Sequence, residues 1–90
     1  MAFADTELDF PCADLGPESQ PEELYRMGLV YSTGMGVQTD YVTAHKWFNL
    51  AALRGVVEAK QSRKELAEYM SSEEIAEAQK AAREWLKLAN

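Results

Sequence analysis

Between Leu24 and Ala59 the chain reads LYRMGLVYSTGMGVQTDYVTAHKWFNLAALRGVVEA, with glycines and aromatic residues at fixed offsets. Leu24, Met27 with Gly28, and Tyr31 recur every three or four residues and make one inward stripe of a helix. Gly34 follows Thr33, where a residue able to turn left-handed ends that helix. Gly36 and Val37 continue a tight connection, and Asp40 suits the N-cap of a second helix. Ala44, Trp47, Phe48, Ala51 and Ala52 then form a second inward stripe, which stops at Gly55. Small alanines set between large aromatics suit two helices packed closely and antiparallel.

The flanks extend the helical pattern in one direction only. Pro21 suits the first helical position, where its missing N–H is not needed. Ser19 with Glu22 also matches a capping box one register earlier, so the start is open by about two residues. Downstream, a third helix spans Val57 to Tyr69 with Ala59, Leu66 and Met70 on its apolar side. Ser71 with Glu74 forms a capping box for a fourth helix, and Met70 and Ile75 occupy the positions of a hydrophobic staple. Ile75, Ala78, Ala82, Trp85 and Ala89 keep the spacing of one buried stripe, through a helix that runs to Leu88. Residues 1–20 mix acids with Pro and Gly and show no helical period, so they read as a flexible acidic tail. Phe3, Leu8, Phe10 and Leu15 leave two readings of that tail open: a loose leader, or a segment folded back over the domain.

A chain of 90 residues makes one domain with a modest core and marginal stability. No apolar run reaches the roughly 18 to 20 residues that span a bilayer. No basic residue precedes Arg26, so a secretory or organelle leader is not expected and a cytoplasmic location is. The single cysteine, Cys12, has no second thiol for a disulfide or a metal pair and reads as an incidental thiol. The net charge of −6 divides into −7 over residues 1–40 and +1 over residues 41–90. That balance excludes attraction to nucleic acid, which needs a basic surface. A positively charged partner would be drawn to the N-terminal half.

Candidate chemistry is sparse. His45 has no Cys, His or carboxylate at ligand spacing, so it reads as a surface histidine of the second helix rather than a catalytic or metal group. Gly34-Met35-Gly36 follows a helix and lacks the Gly-Lys-Ser/Thr ending of a phosphate loop, so the turn explains it. Glu65 with Glu68, and Glu73, Glu74 and Glu77, are solvated on open helices and poorly suited to acid/base work. Lys80 with Glu84 adds an attractive pair to that polar face. No cofactor, metal or catalytic residue is expected.

Gly28, Tyr31, Gly34, Gly36, Val37, Asp40, Ala44, Trp47, Ala51, Ala52, Gly55 and Ala59 together make a pattern that resembles the Sel-1-like repeat, a relative of the tetratricopeptide repeat. Met27 replaces the usual Leu and keeps its volume and polarity. Beyond Ala59 the pattern stops, because Arg63 and Lys64 stand where another repeat would place Leu and Gly. The resemblance implies an all-α fold of two antiparallel helical hairpins, a short α/α solenoid. Residues 21–90 would form a single repeat domain with C-terminal capping helices, and residues 1–20 the tail. Family members that act on lactams carry a Cys pair in every repeat, and one Cys outside the repeat argues against that branch.

The resemblance also implies a concave surface. The outer strip of the first helix, Glu22, Tyr25, Leu29 and Ser32, would line it, since the second helix does not cover Tyr25 and Leu29. The same offsets on the third helix give Glu58, Gln61, Glu65 and Glu68. This acidic groove with an apolar centre suits a peptide or helix of basic and apolar character. The expected function is a non-enzymatic protein-binding adaptor, with no nucleic acid or membrane partner. Two alternatives stay open: the tail covers Tyr25 and Leu29 in cis, or exposed repeat ends stack in weak self-association. Solenoids bury a continuous core with about three repeats, so a shorter one should gain stability on binding.

Overall fold

The computed structural model describes residues 19–89, with side chains as far as Leu88. The tail residues Phe3, Leu8, Phe10, Cys12 and Leu15 lie outside the described residues. Four helices follow: α1 (Pro21–Thr33), α2 (Tyr41–Leu53), α3 (Val57–Ala67) and α4 (Ser72–Ala89). They form the all-α solenoid of two helical hairpins that the sequence predicts.

Local chemistry sets the boundaries. The Glu23 carboxylate accepts from the Gln20 backbone N–H at 2.8 Å. The capping interaction thus lies one residue after the Ser19 and Glu22 alternative, and Pro21 is the first helical residue. Gly34 ends α1 at φ 75°, and its N–H donates to the Val30 carbonyl at 2.9 Å. A side chain there would also meet the Thr39 hydroxyl. The connection closes when the Asp40 N–H donates to the Tyr31 carbonyl at 2.9 Å. Asp40 then caps α2, accepting from the Thr43 N–H at 3.1 Å and the Thr43 hydroxyl at 2.8 Å. The capping box of α4 forms as expected, with Ser71 N–H donating to Glu74 at 2.9 Å and Glu74 N–H to Ser71 Oγ at 3.1 Å. Helix α3 ends at Ala67, two residues before the expected Tyr69.

Every extensive helix–helix contact involves α2, which packs on α1, α3 and α4. Its side chains form the centre of the core: Trp47, Phe48, Leu50 and Ala51 are buried, with Leu24 and Met27 from α1 and Ala59 and Ala82 from α3 and α4. The α1–α2 crossing is close because Gly28 lies against the Phe48 ring, where a Cβ would collide with the ring carbons. Ala44, Phe48 and Leu66 form a second buried group between α2 and α3. Trp85 of α4 meets Trp47 edge-on, with ring centroids 6.0 Å apart.

Contact on three sides also buries His45, which is 3% exposed. The surface position expected for it is therefore corrected. Burial in the α2 packing, and secondly the nearby Arg63 charge, push its pKa below the ordinary value. Among the described residues, its Nδ1 and the Trp47 Nε1 have no hydrogen-bond partner.

Candidate functional site

Residues 22, 25, 29 and 32 are spaced by three or four and so share one face of α1. In the structure that face turns toward α3. Glu22, Tyr25 and Glu58 line one depression, together with Arg54, Val56 and Val57 at the α2–α3 turn. One helical step higher, Leu29, Ser32 and Glu65 line a second, floored by Phe48 and Leu66 and rimmed by Tyr41 and Tyr69. Leu29 and Tyr41 are each 37% exposed and Tyr69 is 75% exposed, so apolar surface faces solvent around this upper depression.

Tyr25 stands between the two. Its ring packs on Phe48 with centroids 5.6 Å apart and a 43° tilt. Its hydroxyl lies 3.2 Å from the Ser62 hydroxyl, joining α1 to α3. The expectation that the second helix leaves Tyr25 uncovered is corrected by this contact: Phe48 reaches it because Gly28 lets α2 approach. Tyr25 is a half-buried wall of the site.

The remaining expected residues divide. The Ser32 hydroxyl donates to the Leu29 carbonyl of its own helix at 3.2 Å. Gln61 lines neither depression and donates through Nε2 to Glu65 Oε2 at 3.0 Å. Glu68, at the end of α3, also lines neither. The side facing α1 carries residues 58, 62, 65 and 69, spaced four, three, four. Offsets carried from α1 give 58, 61, 65 and 68, which differ at alternate positions. Ser62 and Tyr69 were missed for that reason, because the rotation of α3 about its axis is set by its packing. Tyr41 was missed although a signal existed: it is a large aromatic residue off the inward stripe of α2.

A third depression lies among Tyr31, the residues 38–42 connection and Glu74. Its two carboxylates, Asp40 and Glu74, cap helices and are committed to backbone N–H groups. Among the described residues no group of three His, Cys, Asp or Glu side chains could hold a metal ion. No helix among them is long and apolar enough to cross a membrane. His45 is buried and lines none of these three depressions.

Four helices in two hairpins, with an open groove between the first helices of each, define a short α/α solenoid. The family model for the Sel1 repeat matches the chain twice, at residues 24–56 and 65–90, together more than half of it. The chain belongs to the Sel1 repeat family. The second match covers α4 and the end of α3, past the point where the spelled-out pattern stops at Ala59. Sel1 repeats generally mediate protein–protein interaction. No curated protein and no solved structure matches the chain.

Proposed function

We propose that this chain is a cytoplasmic, non-enzymatic adaptor that binds a segment of another protein in the groove between α1 and α3. Residues 21–90 act as the binding domain, preceded by an acidic tail. The observation that carries this reading is the upper depression. Leu29, Tyr41 and Tyr69 expose apolar surface there, beside Glu65 and above the buried Phe48 and Leu66. Exposed apolar surface rimmed by polar groups marks an interaction site more often than a purely structural one. The carboxylates of Glu22, Glu58 and Glu65 favour a segment with basic as well as apolar character.

Stacking of copies through the repeat ends is the competing reading. Glu73, Glu77, Lys80 and Glu84 are all exposed on α4, so its outward face is charged over most of its length and poorly suited to burial, with Leu86 and Leu88 exposed only near its C-terminal end. Sedimentation over a wide concentration range should therefore show a monomer. The binding surface is tested by Leu29→Ala with Tyr69→Ala, both at exposed positions. The helical circular dichroism should persist while binding of protein segments is lost. Unchanged binding by the folded double variant would remove the groove from the account.

A further inference from the structure

Apolar surface also faces solvent away from the groove, at the end of the domain where α2 and α4 stop. Leu53 is 66% exposed, Leu86 37% and Leu88 87%. The core fixes their common level. Met70, just before α4, packs on the cluster that holds Ala44 near the start of α2, whereas Ala82 packs with Leu50 and Ala51 near its end. Helix α4 therefore runs parallel to α2, and Leu86, one turn beyond Ala82, comes level with Leu53 and Arg54.

The same end of α4 bears positive charge. Residues 80–88 hold Lys80, Arg83 and Lys87 against one carboxylate, Glu84. Arg83 and Lys87 are exposed, and among the described residues neither has an ion pair or a side-chain hydrogen bond. Leu86 is three residues from Arg83 and Lys87 is four, so the three side chains share one side of the helix.

The chain also enters the domain at this end. Arg54 donates through Nη2 to the Ser19 carbonyl at 3.0 Å, and Ser19 is buried. Before Ser19 the sequence carries five acids, Asp5, Glu7, Asp9, Asp14 and Glu18, no Lys or Arg, and the apolar side chains Phe3, Leu8, Phe10 and Leu15. Leu15, four residues from Ser19, reaches at most about 13 Å, and Phe10, nine residues away, about 30 Å. Packed helices have axes about 8–10 Å apart, so the path from α1 over α2 to α4 is about 20 Å. Leu15 can thus cover the end of α2, and Phe10 can arrive at α4. The groove offers this segment the wrong charge: Glu22, Glu58 and Glu65 line it against Arg54 alone, and like charges repel.

We infer that residues 8–15 dock in cis across the ends of α2 and α4, with Leu15 over Leu53, Phe10 against Leu86, and Asp9 and Asp14 beside Arg83 and Lys87. This goes beyond the groove reading. The segment covers the apolar end of the domain, leaves the groove open to its partner, and occupies the surface through which copies would otherwise stack.

Cys12, the only cysteine, lies inside this segment and takes a nitroxide spin label in the full chain. Amide signals of residues 83–88 and of Leu53 should broaden most, and those of Leu29 and Tyr69 least. Arg83→Glu with Lys87→Glu, both at exposed positions, should abolish the broadening on α4 while the helical circular dichroism persists. In the chain without a label, Phe10→Ala should shift the amides around Leu86 and leave those around Leu29 in place, a readout independent of any disturbance by the nitroxide. Broadening strongest at Leu29 and Tyr69 would put the segment in the groove. Broadening of α4 that survives the charge reversal would mark an undocked tether. Broadening passed from a spin-labelled chain to a separate isotope-labelled one would put a second copy on this end. Each of these three results overturns the inference.

Discussion

The two hairpins of this domain are held together differently. In the first, α1 and α2 cover one another directly, with Gly28 against Phe48 and the Asp40 N–H returned to the Tyr31 carbonyl. In the second, α3 and α4 both lean on α2 and make little contact with each other. Among the described side chains, α3 buries only Ala59 and Leu66, and α4 only Ala78 and Ala82. The first hairpin is therefore the scaffold and the second is attached to it. The groove lies where the two meet, so one wall is firmly held and the other is not. Low local stability is characteristic of elements that move on binding.

Substitutions in the first hairpin should show the largest effects. Phe48→Ala removes a ring that touches Gly28, Tyr25 and the α3 side of the core, and should cost about 3–5 kcal/mol. For a domain of this size that approaches the total stability, so urea denaturation should find the variant largely unfolded. A sharp, nearly unshifted transition would contradict the central role given to α2.

Gly28→Ala sharpens the same contrast. Helix propensity alone favours Ala by about 1 kcal/mol, but the added Cβ collides with the Phe48 ring. The collision should win, giving a net loss of roughly 1–2 kcal/mol by thermal or urea unfolding. A stabilised variant would mean that the α1–α2 crossing is looser than described.

The caps allow a matched comparison of the two regions. Asp40→Ala and Ser71→Ala each remove one N-cap acceptor and should each cost about 1 kcal/mol. Global unfolding should register both. Native-state hydrogen exchange should differ, with Ser71→Ala loosening α4 alone and Asp40→Ala lowering protection throughout. Identical exchange patterns would remove the distinction between scaffold and attachment.

The smallest effect concerns pH. Burial lowers the pKa of His45, so the folded chain holds its proton less tightly than the unfolded one. The resulting stability is complete above the unfolded value of about 6.5 and declines as pH falls from there toward the lowered folded pKa. His45 is the only histidine in the chain, so this step should vanish in His45→Leu. A chain whose stability is flat from pH 7 to 5 would show that His45 protonates without penalty.

The same contrast explains what was legible in the sequence. The first hairpin is written in residues with strong local preferences, Pro21, Gly34, Asp40 and Gly55, and its boundaries followed to within a residue. The α4 start was equally plain from Ser71 and Glu74. His45 was misjudged because α2 is covered on three sides, so burial on it no longer follows a single stripe. Five of the expected groove residues, Glu22, Leu29, Ser32, Glu58 and Glu65, line the two depressions with their side chains uncommitted to other elements. Tyr25 lines one as well, but as part of the packing. Ser62 and Tyr69 escaped because no local rule fixes the rotation of a polar helix such as α3.

The most direct measurement compares native-state hydrogen exchange of the free chain with that of the chain saturated by a peptide selected from a random library for binding in the groove. A ligand bridging α1 and α3 ties the attached hairpin to the scaffold. Amides of α3 should then gain more protection than those of α2, which is already held on three sides. Equal gains in all four helices, or gains confined to α4, would contradict a binding surface between α1 and α3.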